Sequence, residues 1–153
     1  DKGDGSLSRT EGVSRELAVT DRVVFTGAVP KVGVATQLNQ GDIFLNTTSV
    51  DNVPISVLEA MASGLCVIST NAGGIPYMLE HERDALLVSP NDANEMAAAV
   101  RRILTDPNLA ARLSTAGRKK AEQHDWSNIL PAWESLLAMN VSDGDVMRNQ
   151  RSK

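Results

Sequence analysis

The hydrophobic positions follow two rhythms, and the clearest stretch is Asp51-Asn52-Val53-Pro54-Ile55-Ser56-Val57-Leu58-Glu59-Ala60-Met61-Ala62-Ser63-Gly64. It predicts a helix with both ends marked. Asp51 and Asn52 are good capping types, and Pro54 suits a first turn, where its missing N–H would go unpaired anyway. Gly64 suits the position just past the end, where left-handed backbone is common. Ile55, Val57, Leu58, Ala60, Met61 and Ala62 make the helix apolar on most sides, so it should be buried. Ser56, Glu59 and Ser63, spaced by three and four, form one narrow polar stripe. A carboxylate on a buried helix is costly without a partner. The stripe faces either bulk water or a cleft that holds a polar ligand.

The next segment, Leu65-Cys66-Val67-Ile68-Ser69-Thr70, is a short apolar run suited to a buried parallel strand. The loop Asn71-Ala72-Gly73-Gly74-Ile75-Pro76 follows at its carboxyl end. Helix, strand and glycine loop in that order belong to a doubly wound sheet, which binds ligands outside the carboxyl ends of its strands. Further strands are expected at residues 22–26, 42–46 and 85–88. Helices are expected at 8–19 with Val13, Leu17 and Ala18 inward, and at 32–39 and 75–81. A helix over 93–104, capped by Asn91 or Asp92, presents Met96, Ala97, Val100, Ile103 and Leu104 on one face. Asp106-Pro107 opens another, with Leu109, Leu113 and Ala116 inward. The last begins at Trp126-Ser127-Asn128, capped by Ser127 or Asn128, with Pro131 in its first turn. Ile129, Trp133, Leu136 and Leu137 line one side of it, and both tryptophans read as core anchors. Residues 141–153 are polar and aperiodic, which predicts a disordered tail.

Composition changes this picture little. The 153 residues are enough for one compact domain, with 42% hydrophobic and 22% charged residues. A net charge of −4 argues against a nucleic-acid partner held through phosphates. The single cysteine, Cys66, rules out an intrachain disulfide and reads as a packed thiol. No apolar run is long enough to span a bilayer. His81 and His124 lack ligand spacing and read as surface or helix-end residues, so no metal site is expected. Arg101 and Arg102 suit a helix end, and Arg118-Lys119-Lys120 reads as a solvated helix face. Nothing sets Asp51 and Glu59 across a scissile bond, so paired-carboxylate hydrolysis is not favoured.

Residues 51–76, with Val23-Val24-Phe25-Thr26-Gly27 upstream, resemble the C-terminal half of family 4 (group 1) glycosyltransferases of the GT-B fold. That family carries a Glu, seven residues, then a second Glu followed by Ala-Met or Ala-Phe. Glu59-Ala60-Met61 matches the second part, and Asp51 stands where the first Glu is expected. The resemblance covers residues 3–139 and implies a Rossmann-like doubly wound parallel sheet with helices on both faces. It implies a nucleotide-sugar-binding domain over 1–140, the tail over 141–153, and a missing N-terminal domain and preceding strand. It implies transfer of a sugar from a nucleotide-sugar donor to an acceptor, with retention, without a cofactor or metal, in the cytoplasm or at the inner face of the membrane. Any peripheral membrane contact would come through the missing half.

The resemblance also implies residue roles. Asp51 and Glu59 are the catalytic candidates. Glu59 would accept hydrogen bonds from the ribose diol, and a charged acceptor makes those bonds strong. Asp51, one methylene shorter than the usual Glu, would meet sugar hydroxyls or stabilise charge developing at the transferred sugar. Gly27, Ala28 and Val29 would lie against the base. Asn52, Val53 and Pro54 belong to the donor-binding set, and Asn52-Val53 in place of the usual Gly-Phe leaves sugar preference open. The N–H groups of Ile55, Ser56 and Val57 would open a helix N-terminus to phosphate oxygens. Gly73 and Gly74 complete the donor set. The family's upstream Arg and Lys clamp on the diphosphate has no match here, so this chain alone is expected to be inactive. Two other classes stay open: a non-catalytic doubly wound nucleotide-binding or regulatory module, and a GT-B-like nucleotide-sugar epimerase.

Overall fold

The computed structural model describes residues 5–149, with side chains described up to residue 138. The chain divides into two compact units, residues 1–37 and 38–153. The sequence pointed to one domain over 1–140.

The first unit contains α1 (Ser6–Glu16), a 3-10 turn (Thr20–Arg22) and most of α2 (Lys31–Leu38). Here the expected packing fails. Val13 is 46% and Leu17 66% exposed, and Ala18 ends the helix region at φ 52°. The buried residue of α1 is Ser14, whose hydroxyl donates to the Glu11 carbonyl at 2.8 Å and lies 3.3 Å from the Thr20 hydroxyl. Residues 22–26 form no strand. Arg22 closes the 3-10 turn, and Val23 is extended but its N–H turns back to the Thr20 carbonyl at 3.3 Å instead of joining a ladder. A strand exists only with a hydrogen-bonded neighbour, and this unit has no other strand among its described residues.

The second unit is built on three parallel strands in the order β1 (Ile43–Asn46), β2 (Cys66–Thr70), β3 (Leu86–Val88). Ile43 sits beside Cys66, and Ile68 beside Leu86. Every residue of β2 is buried, because both faces of the sheet are covered. On one face Val57, Ala60 and Met61 of α3 (Ile55–Ala62) pack with Val67, Ile75 and Leu79. On the other, Ala99 and Ile103 of α5 (Ala93–Thr105) and Leu109 and Leu113 of α6 (Pro107–Gln123) pack with Cys66, Ile68, Leu86 and Val88. This is a doubly wound α/β sheet. Burial pushes the Cys66 thiol up, and its Sγ lies 3.3 Å from the Ala110 carbonyl, so the packed-thiol reading holds.

The central helix begins and ends differently from each other. Its end is as expected: Gly64 adopts φ 82°, its N–H donates to Met61, and the Leu65 N–H donates to Ala60. Those two bonds are the Schellman pair. Its start is shorter. Pro54 is itself the capping position, and no side chain caps the helix, so neither Asp51 nor Asn52 does so. On α5 the buried pair is Ala99 and Ile103, whereas Ala97 and Leu104 are exposed. Asp92, not Asn91, is its cap, accepting the Glu95 N–H at 2.8 Å.

α6 joins the two layers. Leu109 and Leu113 sit under the sheet, Ser114 donates to the Gly64 carbonyl at 2.6 Å, and Gly117 is buried against Met61. Lys120 does not belong to a solvated face. Its ammonium pairs with the buried Asp84 carboxylate and donates to the Met78 carbonyl at 2.7 Å. Asp84 also accepts the Glu80 N–H at 2.8 Å. That bond draws the backbone out of helix, so α4 covers only Ile75–Met78 and not residues 75–81.

The last helix, α7, spans Trp126–Asn149. Its cap is Asp125, which accepts the Ser127 N–H at 2.8 Å and the Ser127 hydroxyl at 2.6 Å; these bonds hold the Asp125 carboxyl below its usual range. Trp126 and Trp133 are 71% and 56% exposed, so neither is a core anchor. Helical backbone continues through residues 141–149, where a disordered tail was expected, and residues 150–153 lie outside the described residues.

Glu82, in the turn before β3, meets Arg102 at 2.6 Å and Arg112 at 4.0 Å. The hydrogen bond from Arg102 holds its carboxyl below the usual range. A depressed carboxyl contributes stability above its unfolded value, near pH 4.3, and loses it as pH falls through the folded value. The pair is largely exposed, so the contribution is at most ~1 kcal/mol. Arg102→Gln should therefore lower stability slightly at pH 7 and cost progressively less as the pH is lowered through the acid range, as urea unfolding across a pH series will read.

Candidate functional site

The candidate residues of the second unit gather at the carboxyl ends of β1 and β2. The chain leaves β1 at Asn46 and loops through residues 47–54 into α3, while β2 leads into residues 71–74. The two loops touch backbone to backbone. The Gly74 N–H donates to the Asp51 carbonyl at 2.7 Å. A Cβ on Gly73 would fall 2.2 Å from the Asp51 oxygen, and one on Gly74 2.0 Å from the Asn52 oxygen. Gly73 also adopts φ 58°, so the double glycine is required by both approach and conformation. Asp51, Asn52, Gly73 and Gly74 thus form one structure.

Asp51 is half-buried, whereas Asn52 and Val53 are exposed. Pro54 is buried at the start of α3. Ile55 and Ser56 are exposed at the helix N-terminus, but the Val57 N–H is occupied, donating to the Pro54 carbonyl at 3.0 Å. The phosphate-facing donors expected over residues 55–57 are therefore reduced to those of Ile55 and Ser56, because the first turn is tight. Val57 itself is a core residue.

The polar stripe is less uniform than its spacing suggested. Ser63 turns its hydroxyl back onto the Glu59 carbonyl at 2.9 Å. The Glu59 carboxylate has no hydrogen bond or ion pair among the described residues, and it is half-buried. It lines a groove of about 560 Å³ with Leu58, Arg118, His124, Trp126 and Asn128. A second groove of about 320 Å³ is lined by Asn52, Val53, Gly74, Tyr77, Met78 and His124. The two grooves share His124, which caps the end of α6. Its Nδ1 lies 2.9 Å from the Lys120 carbonyl. His124, Trp126 and Tyr77 were not candidates from sequence. Lone aromatic side chains without a motif carry no signal until the α6–α7 corner is brought beside α3.

Gly27, Ala28 and Val29 lie in the first unit, in the loop before α2. Gly27 adopts φ 63° and Thr26 donates to its carbonyl at 3.4 Å. Gly27 and Ala28 are exposed and Val29 is half-buried.

A parallel sheet with helices on both faces and its loops joined at the carboxyl rim is the architecture of the C-terminal half of a GT-B fold. The chain belongs to the Glycosyl transferases group 1 family, whose model matches residues 2–106. Lipopolysaccharide core biosynthesis glycosyltransferase LpsD of Rhizobium meliloti (strain 1021) is 35% identical over 116 residues, which is 75% of this chain and 33% of that protein. Sucrose-phosphate synthase (tll1590) from Thermosynechococcus elongatus superposes with a TM-score of 0.80 at 30% identity, over 89% of this chain and 34% of the other. Anabaena Alr3699/HepE in complex with UDP-glucose superposes at 0.81 over 90% of this chain and 38% of the other. At 21% identity that likeness bears on the fold alone. This chain spans about a third of the length of each of these proteins. No helix among the described residues is long and apolar enough to cross a membrane.

Proposed function

We propose that this chain is the donor-binding half of a retaining glycosyltransferase that moves a sugar from a nucleotide diphosphate to an acceptor bound by another part of the same protein. The observation that carries this reading is the joined rim: Asp51-Asn52 seated on Gly73-Gly74 beside the N-terminus of α3. Such a rim gives a donor backbone N–H groups at a helix start and, next to them, a carboxylate on an anchored stretch of backbone. Glu59, with an unengaged carboxylate in the adjoining groove, takes the ribose diol. Asp51 takes sugar hydroxyls. Asn52 and Val53 set sugar preference. The donor is a substrate, and the reading calls for no cofactor or metal. It places the protein in the cytoplasm or at the inner membrane face, with the acceptor site elsewhere in the protein. The match to named glycosyltransferases supports it. Alone, the chain transfers no sugar.

A panel of nucleotide-sugars offered to the full-length protein tests the activity. Calorimetry on the same protein tests Glu59. Glu59→Gln should weaken nucleoside diphosphate binding by about 1.5–3 kcal/mol, the range for a hydrogen bond to a charged group. A 2′-deoxynucleotide should bind the native site more weakly for the same reason. The two losses should not add, because both remove one interaction. The second reading, a binding module without catalysis, draws on one observation: Glu59 lines the groove toward α6 and α7, while Asn52, Val53 and Gly74 line the other. Additive losses, or no effect of Glu59→Gln, would favour it.

A further inference from the structure

We propose that Thr70 is a positioning residue for the Asp51 loop, an inference that rests on the donor-site reading above. Thr70 is the last residue of β2 and 4% exposed. Its hydroxyl donates to the Thr48 carbonyl at 2.5 Å. One step back, the Asn46 amide donates to the Ser69 hydroxyl at 3.0 Å, and that hydroxyl donates to the Thr70 carbonyl at 3.2 Å. These side-chain bonds fasten the chain to β2 just as it leaves β1. Four residues beyond Thr70, the Gly74 N–H holds the Asp51 carbonyl. The loop that carries Asp51 is therefore tied at its start by Thr70 and further along by Gly74. From the first tie Thr48 also braces the loop from within, its hydroxyl donating to the Val50 carbonyl at 3.1 Å.

Thr70 touches no donor in this scheme. It acts through the loop, by fixing where the Asp51 carboxylate stands relative to a nucleotide held by α3. Valine has nearly the same shape as threonine but no hydroxyl, so Thr70→Val removes the tie and leaves the Thr48 carbonyl without it. Thr70→Ser keeps the donor. A displaced catalytic group lowers turnover even where binding persists.

The test compares the full-length native protein with Thr70→Val and Thr70→Ser. Three readouts are taken: turnover with its best nucleotide-sugar, affinity for the nucleoside diphosphate product, and hydrogen exchange at the Gly74 amide. For Thr70→Val we expect turnover to fall about tenfold or more, nucleotide affinity to stay within about twofold, and Gly74 exchange to quicken about tenfold. Thr70→Ser should restore all three. A Thr70→Val protein with native turnover and native Gly74 exchange overturns the proposal. So does one that loses nucleotide affinity in step with turnover, because a general loosening of the fold would do that. If the native protein uses no nucleotide-sugar, the donor-site reading fails by itself, and Gly74 exchange still decides whether Thr70 holds the loop.

Discussion

Lys120→Met should destabilise the second unit by about 3–5 kcal/mol, the usual cost of removing one partner of a buried ion pair. The Asp84 side chain is 2% exposed and would keep, among the described residues, only the Glu80 N–H as a donor. Methionine preserves most of the aliphatic stem, so the loss measures the charge and its hydrogen bonds more than packing. The Met78 carbonyl loses its ammonium donor at the same time. Urea unfolding of the chain reads the change as a shift in midpoint at constant slope. The neighbouring Lys119→Met is the control, because Lys119 is exposed and a surface substitution stays within about 0.5 kcal/mol. Adding Asp84→Asn to Lys120→Met should recover part of the loss, since a neutral buried pair leaves no unpaired charge. Equal, small effects at positions 119 and 120 would mean that the clamp between α6 and the turn before β3 contributes nothing.

Gly74→Ala should cost more function than stability. The added methyl would lie 2.0 Å from the Asn52 oxygen, 2.8 Å from its carbonyl carbon and 2.9 Å from its Cα. All three obstacles are backbone, so no rotamer change relieves them. The 47–54 loop must lift away, and with it goes the Gly74 N–H bond to Asp51. We expect roughly 1–3 kcal/mol of lost stability, as for other overpacked sites. We expect donor turnover in the full-length protein to fall at least about a hundredfold, because a displacement of about 1 Å in a catalytic constellation costs that much. Gly12→Ala is the contrasting variant: nothing lies within 4 Å of the added methyl, and the site is inside α1. It should gain roughly 0.5–1 kcal/mol, the helical preference of alanine over glycine. Thermal unfolding and a donor assay read both. Native turnover in Gly74→Ala would show that the joined rim is not part of the machinery.

By itself the sequence determined what local rules govern. Gly64 ended α3 because its left-handed backbone carries no steric cost there, and the two Schellman bonds followed. The apolar runs at Ile43–Asn46, Cys66–Thr70 and Leu86–Val88 became strands because β-branched and aliphatic residues bounded by turns suit a sheet covered on both faces. The spacing from Asp51 to Glu59, with Ala60-Met61, was enough to resemble the family to which the chain belongs. Long-range partners decided the rest. Residues 22–26 have strand composition but no strand to pair with among the described residues of their own unit. Lys120 reads as a solvated lysine until the fold sets it against Asp84, 36 positions earlier in the chain. Trp126 and Trp133 read as core until α7 leaves them exposed. Asp51 and Gly74 lie 23 positions apart, and no periodicity links them. Only the parallel pairing of β1 with β2 carries their loops to the same rim. There the absence of two β-carbons lets one backbone rest on the other.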